Sequence, residues 1–387
     1  MKLMSRHILW MAPVFCLVLT LGACQRKAGA DTPSGADGTV TLVLNTEVLG
    51  APRSGADDGF PDEEKMETLR IVILHADGTV EYNRLLDFGA GLQTACTQLV
   101  KVREAETKAV YLIANEASVP GLDNMELDGF AAGDAGFGEK VGNLSFVPDY
   151  AGPSIPMSAM YEVEVGQASK ECRFYLVRAA TKFTFRFKNM RSGPVAVNSI
   201  AVSDIAGHTY LMPRKKSPTM RFREADGSES ELFWITWLKR VSDESQRNPD
   251  DRELADKRGW ILDYDIPAGT VSDRVTVPAP DNFRVAGFAY DMGVPKPGTA
   301  VYPAFYLPES KSLKAPGGNP DGEQAYTMTF RLTDDNNMEQ VFSRPFGNLK
   351  ALFRNTHVVV DATFQEKEVQ VDVIPYSEVI LEPEFGL

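Results

Sequence analysis

Cysteine is scarce in this chain, with four in 387 residues, at positions 16, 24, 96 and 172. So few thiols exclude a disulfide-built scaffold, and the lack of any Cys-x-x-Cys pair excludes the common structural zinc sites. Histidine is equally rare, at His7, His75, His208 and His357, and none has a metal-ligand neighbour in sequence. There is no His-Glu-x-x-His helix, Gly-x-Ser-x-Gly elbow, Walker loop or twelve-residue calcium loop. The acid-rich stretches 248–251 and 334–337 lack the ligand spacing of a cation loop and read as turns. No catalytic residue, cofactor or metal ligand is assigned, and the chain is expected not to be an enzyme. Positive charge is short as well, with 40 Lys and Arg against 53 Asp and Glu. A surface of that sign repels the phosphate backbone and argues against nucleic acid as a partner.

Long apolar runs are also missing, apart from residues 8–21, which are too few to span a bilayer comfortably. That run follows Lys2 and Arg6 and ends in Leu21-Gly22-Ala23-Cys24. Basic start, apolar middle and small-residue exit are the three parts of a secretory signal. Leu-Gly-Ala-Cys resembles the lipobox, in which the bond before the cysteine is cut and the new N-terminus is acylated. Residues 1–23 are therefore expected to be a lipoprotein signal peptide, and Cys24 the lipid attachment site to the outer membrane. Losing Lys2 and Arg6 and no acid moves the formal charge from -13 to -15. Acyl chains then remain the main reason for membrane association. Cys96 and Cys172 are the other mature cysteines, and the sequence leaves open whether they pair or pack as small apolar side chains.

What the chain has in abundance is short period-two patterning. Residues 24–38 are polar and without period, as in a flexible tether. Val40, Leu42 and Leu44 then share one face, opposite Thr39, Thr41 and Asn45, which predicts a half-buried first strand. A turn-rich break at residues 50–59 follows, with Arg53 as its one basic residue. Residues 69–74 and 79–82 flank Asp77-Gly78 as a hairpin, and 110–114 reads as a buried central strand. Phe183, Phe185 and Phe187 line one face of a strand whose other face is polar. Similar signals recur at 199–202, 326–332, 358–360 and 369–373. Many short strands with few helical periods predict an all-β protein of antiparallel β-sandwiches. The break Arg191-Ser192-Gly193-Pro194 divides it into 39–190 and 191–387. Residues 229–258 are the least strand-like and predict a short helix and a solvated loop.

The order of these pieces resembles the Bacteroidia-type fimbrillins, the subunits of type V pili. The likeness rests on the lipobox, the Gly-Ala-Pro-Arg-Ser loop and Glu67-Thr68-Leu69-Arg70-Ile71-Val72-Ile73 with its Asp77-Gly78 turn. It continues in Val110-Tyr111-Leu112-Ile113-Ala114-Asn115-Glu116, Ile155-Pro156-Met157-Ser158 and Ala179-Ala180-Thr181-Lys182-Phe183. Arg354-Asn355-Thr356-His357 and the tail Val373-Ile374-Pro375-Tyr376-Ser377 complete it. The resemblance implies two tandem transthyretin-like sandwich domains, lipoprotein export and assembly by strand exchange at the cell surface. It implies that an Arg-specific surface protease cuts between Arg53 and Ser54, displacing the strand of Val40, Leu42 and Leu44. A tail from a neighbouring subunit, about 366–387, would then fill the vacated groove, with Val369, Val371, Val373, Val379, Leu381 and Phe385 as candidate donor side chains. Partners would be other pilus subunits, the protease, the outer membrane through Cys24, and surface ligands of host or bacterial cells. Cys24-Gln25-Arg26-Lys27 is basic where such lipoproteins tend to be acidic.

Two alternatives remain open in the sequence. Val40 to Leu44 and Val369 to Val373 are equally readable as permanent strands, with the chain an uncut anchor or a tip subunit. A glycan-binding surface lipoprotein of an outer-membrane import system would instead use Trp234, Trp237 and Trp260 as stacking platforms.

Overall fold

The computed structural model describes residues 38–50, 60–122, 124–150, 152–215, 217–224, 226–238, 240, 264–269, 274–312, 326–345, 349 and 351–374. The lipobox with Cys24, the Arg53-Ser54 bond, Trp260 and the tail residues Val379, Leu381 and Phe385 lie outside them.

The first strand, β1 (Thr39–Val48), alternates half-buried and buried side chains over all ten residues. It runs past Leu44 because Thr46 and Val48 continue the inward face. The hairpin of β2 (Thr68–Leu74) and β3 (Val80–Asp87) forms as the sequence predicts. Its turn is closed by the Thr79 amide and hydroxyl, which donate to Asp77 Oδ1 at 3.0 and 2.7 Å, and by Gly78 at φ 85°. Next come β4 (Ala95–Arg103), β5 (Glu106–Ala114), β6 (Ser145–Phe146), β7 (Met157–Val165) and β8 (Lys170–Arg178). Seven of these form one sheet in the order β3-β2-β5-β7-β8-β1-β4. The only β7–β8 partners are Met157 with Arg178 and Ser158 with Val177, so the sheet turns a corner there. Its two parts then bury one core between them: Val40, Leu42, Leu44, Val100 and Leu176 on one side, Leu69, Ile71, Val110, Leu112 and Ala159 on the other. Helices α1 (Asn124–Asp128) and α2 (Phe137–Gly142) cover the other face of β2 and β5, packing Leu127, Phe137 and Val141 on Val72, Leu74 and Ile113.

A second sandwich has its own core. One sheet orders β15 (Arg274–Pro278), β10 (Val195–Ser203), β22 (Thr327–Thr333) and β23 (Glu339–Pro345), with β16 (Arg284–Val285) also on β10. The facing sheet orders β19 (Gly298–Val301), β9 (Thr181–Asn189), β25 (His357–Phe364) and β26 (Val369–Ile374), with β20 (Phe305–Leu307) also on β9. Phe183, Phe185 and Phe187 stack with Phe305 and Phe364 of the same sheet at centroid distances of 5.1–5.7 Å, and Phe330 of the facing sheet meets Phe185 and Phe187 edge-on. Strand β9, assigned from sequence to the first unit, thus belongs to the second. Its phenylalanine stripe declares a core face without declaring which core. The change of sandwich falls at Ala179-Ala180, ahead of the Arg191–Pro194 break.

The fold is all-β as expected, but not wholly antiparallel. Parallel pairs join β1 to β8 and β9 to β25, which lie far apart in sequence. Short pairs fill the space between the sandwiches: β6 with β11 (Thr209–Tyr210), β12 (Thr219–Arg223) with β13 (Glu229–Phe233), and β14 (Ala268–Gly269) with β21 (Ser310–Ser312) and β24 (Ala351–Leu352). A further hairpin, β17 (Ala289–Asp291) and β18 (Val294–Lys296), turns through Met292 and Gly293 at positive φ.

Candidate assembly site

Strand β1 is an inner strand. It runs antiparallel to β4 from Thr39 opposite Arg103 to Glu47 opposite Ala95, and parallel to β8 from Leu42 opposite Lys170 to Val48 opposite Leu176. Removing it would leave unpaired backbone on both β4 and β8 and empty the inward row of Val40, Leu42, Leu44, Thr46 and Val48. On the outer face Asn45 Nδ2 donates to Glu171 Oε1 and Thr97 Oγ1 donates to Asn45 Oδ1, both at 2.8 Å, so polar contacts also cross the three strands.

Cys96 lies opposite Thr46 on β4, and Cys172 opposite Leu44 on β8. Both are half-buried against the first core, and both thiols are free. One whole strand and a two-residue stagger separate their backbones, so they stand more than two strand spacings, about 9.5 Å, apart. That exceeds the ~7 Å reach of a disulfide. Burial pushes the Cys172 thiol pKa up.

The described residues on both sides of positions 51–59 are fastened. Upstream, the Leu49 amide donates to Leu176 O at 2.9 Å, and the Leu49 side chain packs with Trp234, Trp237, Tyr264 and Phe353. Downstream, Glu64 is buried, receives Lys182 Nζ at 2.9 Å and the Tyr306 hydroxyl at 2.6 Å, and pairs with Arg178. Arg178 and Asn355 join these two ends. Asn355 Oδ1 accepts from Arg178 N and Nε at 3.1 Å each, and Asn355 Nδ2 donates to Leu49 O at 3.4 Å. Asn355 adopts φ 56°, a left-handed conformation that asparagine tolerates well. Nothing in the linear sequence marks this network, because buried Glu and Arg are exceptions to the usual surface placement.

The candidate donor residues divide. Val369 is fully buried in the second core and Val371 packs against it. Val373 pairs with Val360 in the β25–β26 ladder. Val369 and Val371 thus pack in their own chain's second core, so a donor role for this strand requires it to leave that core first.

Trp234 and Trp237 pack in the core, as their apolar neighbours predict, and form no stacking platform for a sugar. Both are fully buried, with Trp237 stacked on Tyr264 at 5.9 Å, because the apolar neighbours Ile235 and Leu238 turn that segment into the core between the sandwiches. His75, Glu81 and Glu106 converge among the described residues as a possible cation cluster. The Lys108 ammonium already fills that place, 2.5 Å from Glu81, 3.2 Å from His75 and in contact with Glu106. The charge there is compensated from within.

No family model matches the chain, and no curated protein matches it. Among solved structures it is similar to the tip fimbrial protein Mfa3 from Porphyromonas gingivalis, at 12% identity and a TM-score of 0.49, covering 87% of this chain and 100% of that one. A protein from Parabacteroides distasonis described as a "putative cell adhesion protein" is similar at 11% identity and a TM-score of 0.47, covering 88% and 98%. The fimbrial anchor protein Mfa2 from Porphyromonas gingivalis gives 9% identity and a TM-score of 0.36, covering 87% and 99%.

Proposed function

We propose that this chain is a structural subunit of a surface fimbrium, exported as a lipoprotein through Cys24 and assembled by exchange of its first strand. The observation that carries the reading is the position of β1. It is an inner strand with five inward side chains, it leads directly into the loop holding Arg53, and two strands would each lose a ladder partner if it left. Such a slot binds an extended apolar segment through backbone bonds along its length and pockets at alternate positions.

In this reading an Arg-specific surface protease cuts between Arg53 and Ser54, and the tail of a neighbouring subunit, about 366–387, with Val369, Val371, Val373, Val379, Leu381 and Phe385 as donor side chains, enters the slot. The protein comprises two sandwich domains meeting near Ala179-Ala180, and its location is the outer membrane and then the fimbrium. An uncut anchor or a tip subunit would share the fold and differ only in cleavage and donation.

The test is to treat the purified mature protein with an Arg-specific protease and follow intact mass and unheated denaturing gels. A cut after Arg53 with detergent-resistant multimers supports a shaft subunit. A cut that leaves a stable monomer removes self-polymerisation and leaves the tip role. No cut at Arg53 removes proteolytic assembly.

A further inference from the structure

The chain on either side of the 51–59 loop is held by one continuous set of buried contacts, and that arrangement bears on what a cut in the loop would do. Starting upstream, Leu49 O accepts from Asn355 Nδ2 at 3.4 Å, Asn355 Oδ1 accepts from Arg178, and Arg178 pairs with Glu64 downstream. Asn355 is itself fixed, since its amide donates to Ala180 O at 2.8 Å. Glu64 is held additionally by Lys182 of β9 and Tyr306 of β20, both in the second sandwich. The Leu49 side chain sits in the cluster of Trp234, Trp237, Tyr264 and Phe353, away from the core that holds the rest of β1.

We propose that Asn355 and the Leu49 pocket form a latch by which the second sandwich retains the end of β1 after the 51–59 loop is cut, and which any replacing strand must close again. This rests on the strand-exchange reading. It specifies the occupant: an extended segment running parallel to β8, with alternating apolar residues, a large aliphatic side chain at the Leu49 position and a carbonyl facing Asn355. The reason is chemical. With β1 gone, Asn355 Nδ2 would be a buried donor without an acceptor, and the pocket around Trp237 would lose its aliphatic filler. Both losses fall on the joint between the sandwiches, so vacating the slot and loosening the joint are one event.

The latch is separable from the natural protease. In the mature chain, residues 51–59 are replaced by the recognition sequence of a site-specific protease, which supplies the cut whether or not Arg53 is the natural one. After complete cutting, release of the N-terminal fragment is timed by native size exclusion and by amide exchange along β1. The fragment is expected to stay bound in the wild-type background.

Asn355→Asp keeps an oxygen for Arg178 and tolerates the same positive φ, but sets an oxygen against the Leu49 carbonyl; at least tenfold faster release is expected. Leu49→Ala empties the pocket and leaves Asn355 and Arg178 paired; it too is expected to hasten release. If Leu49→Ala hastens release and Asn355→Asp does not, retention is apolar only and the Asn355 latch is overturned. If the cut wild-type protein sheds its fragment at once, the latch is overturned as a whole. Failure of the strand-exchange reading shows elsewhere, as intact Arg53 or absent multimers in the natural chain.

Discussion

Arg354 Nη2 and Glu309 Oε2 meet at 2.6 Å in the joint between the sandwiches, and neither side chain is more than 1% exposed. Arg354 also donates to the carbonyls of Leu211 and Tyr210 at 3.0 and 2.9 Å, while Glu309 Oε1 accepts from Arg354 N and the Tyr264 hydroxyl. Burial alone would lower the guanidinium pKa, but Glu309, Tyr264 and Tyr150 together outweigh it, and the value ends above the ordinary one. The guanidinium therefore keeps its charge, bonded through both terminal nitrogens, while its buried Nε has no hydrogen-bond partner among the described residues. Removing Glu309 leaves a buried cation without its partner, so Glu309→Ala is expected to cost about 3–5 kcal/mol. Breaking the exposed Lys296–Asp291 pair with Lys296→Ala should cost no more than about 1 kcal/mol. Urea unfolding of both variants checks this, and equal losses would refute the joint's weight in stability.

The two faces of β1 should respond differently. Leu42 and Leu44 are fully buried, whereas Val43 is half-buried on the outer face. Truncating a buried leucine to alanine costs about 2–5 kcal/mol through lost transfer energy and an unfilled cavity. Leu42→Ala and Leu44→Ala are expected in that range, with Val43→Ala clearly below it. Chemical unfolding gives the ranking. A larger loss at Val43 would mean that the strand sits in the other register.

Acid should weaken the first sandwich through Glu106. Burial raises its pKa, but hydrogen bonds from Lys108 and His75 and the charge of Lys108 dominate and hold it at about 2. A carboxylate depressed on folding contributes stability above its unfolded value, about 4.3, and that contribution is lost as pH falls toward 2. Glu106→Gln should therefore lower stability at neutral pH and flatten the stability profile between pH 5 and 2. Thermal unfolding across that range reads both effects. A variant with the parental pH profile would show that another carboxylate carries the acid sensitivity.

Much of the scaffold is legible in sequence because a half-buried strand writes its period into side-chain polarity. Val40-Leu42-Leu44 and Phe183-Phe185-Phe187 follow that rule, while β2 and β5 are legible as nearly unbroken apolar runs buried on both faces. Strand β4 does not follow the rule, because Leu99 on its outer face is 70% exposed and interrupts the alternation. The joint is illegible for a different reason. Glu64, Arg178, Glu309 and Arg354 look like surface residues until the partners that neutralise them are brought together, across 45 residues for Arg354 and Glu309 and more than a hundred for Glu64 and Arg178. Asn355 belongs to a segment singled out by resemblance alone, and its contacts with Leu49 and Arg178 emerge only in three dimensions. The core fate of Trp234 and Trp237 was contained in their apolar neighbours, whereas the allegiance of β9 was not contained in its phenylalanines.

The two free thiols supply a direct readout of the β1 slot. Cys96 and Cys172 stand on the two strands that flank β1, each at an inward position, and both are half-buried while β1 is in place. Burial holds the Cys172 pKa up, which reduces its thiolate fraction and slows alkylation further. Departure of β1 would uncover both side chains at once without altering their own strands. Maleimide labelling of the mature chain, prepared without Cys24, is therefore expected to be slow in the intact protein. It should become at least tenfold faster at both sites once the fragment preceding a loop cut has been stripped away. A synthetic peptide of residues 39–49 should restore the slow rate by refilling the slot. Peptide mapping of the labelled cysteines assigns each rate. Unchanged labelling after removal of the fragment would mean that β4 and β8 close over the gap, leaving no slot for a donor strand.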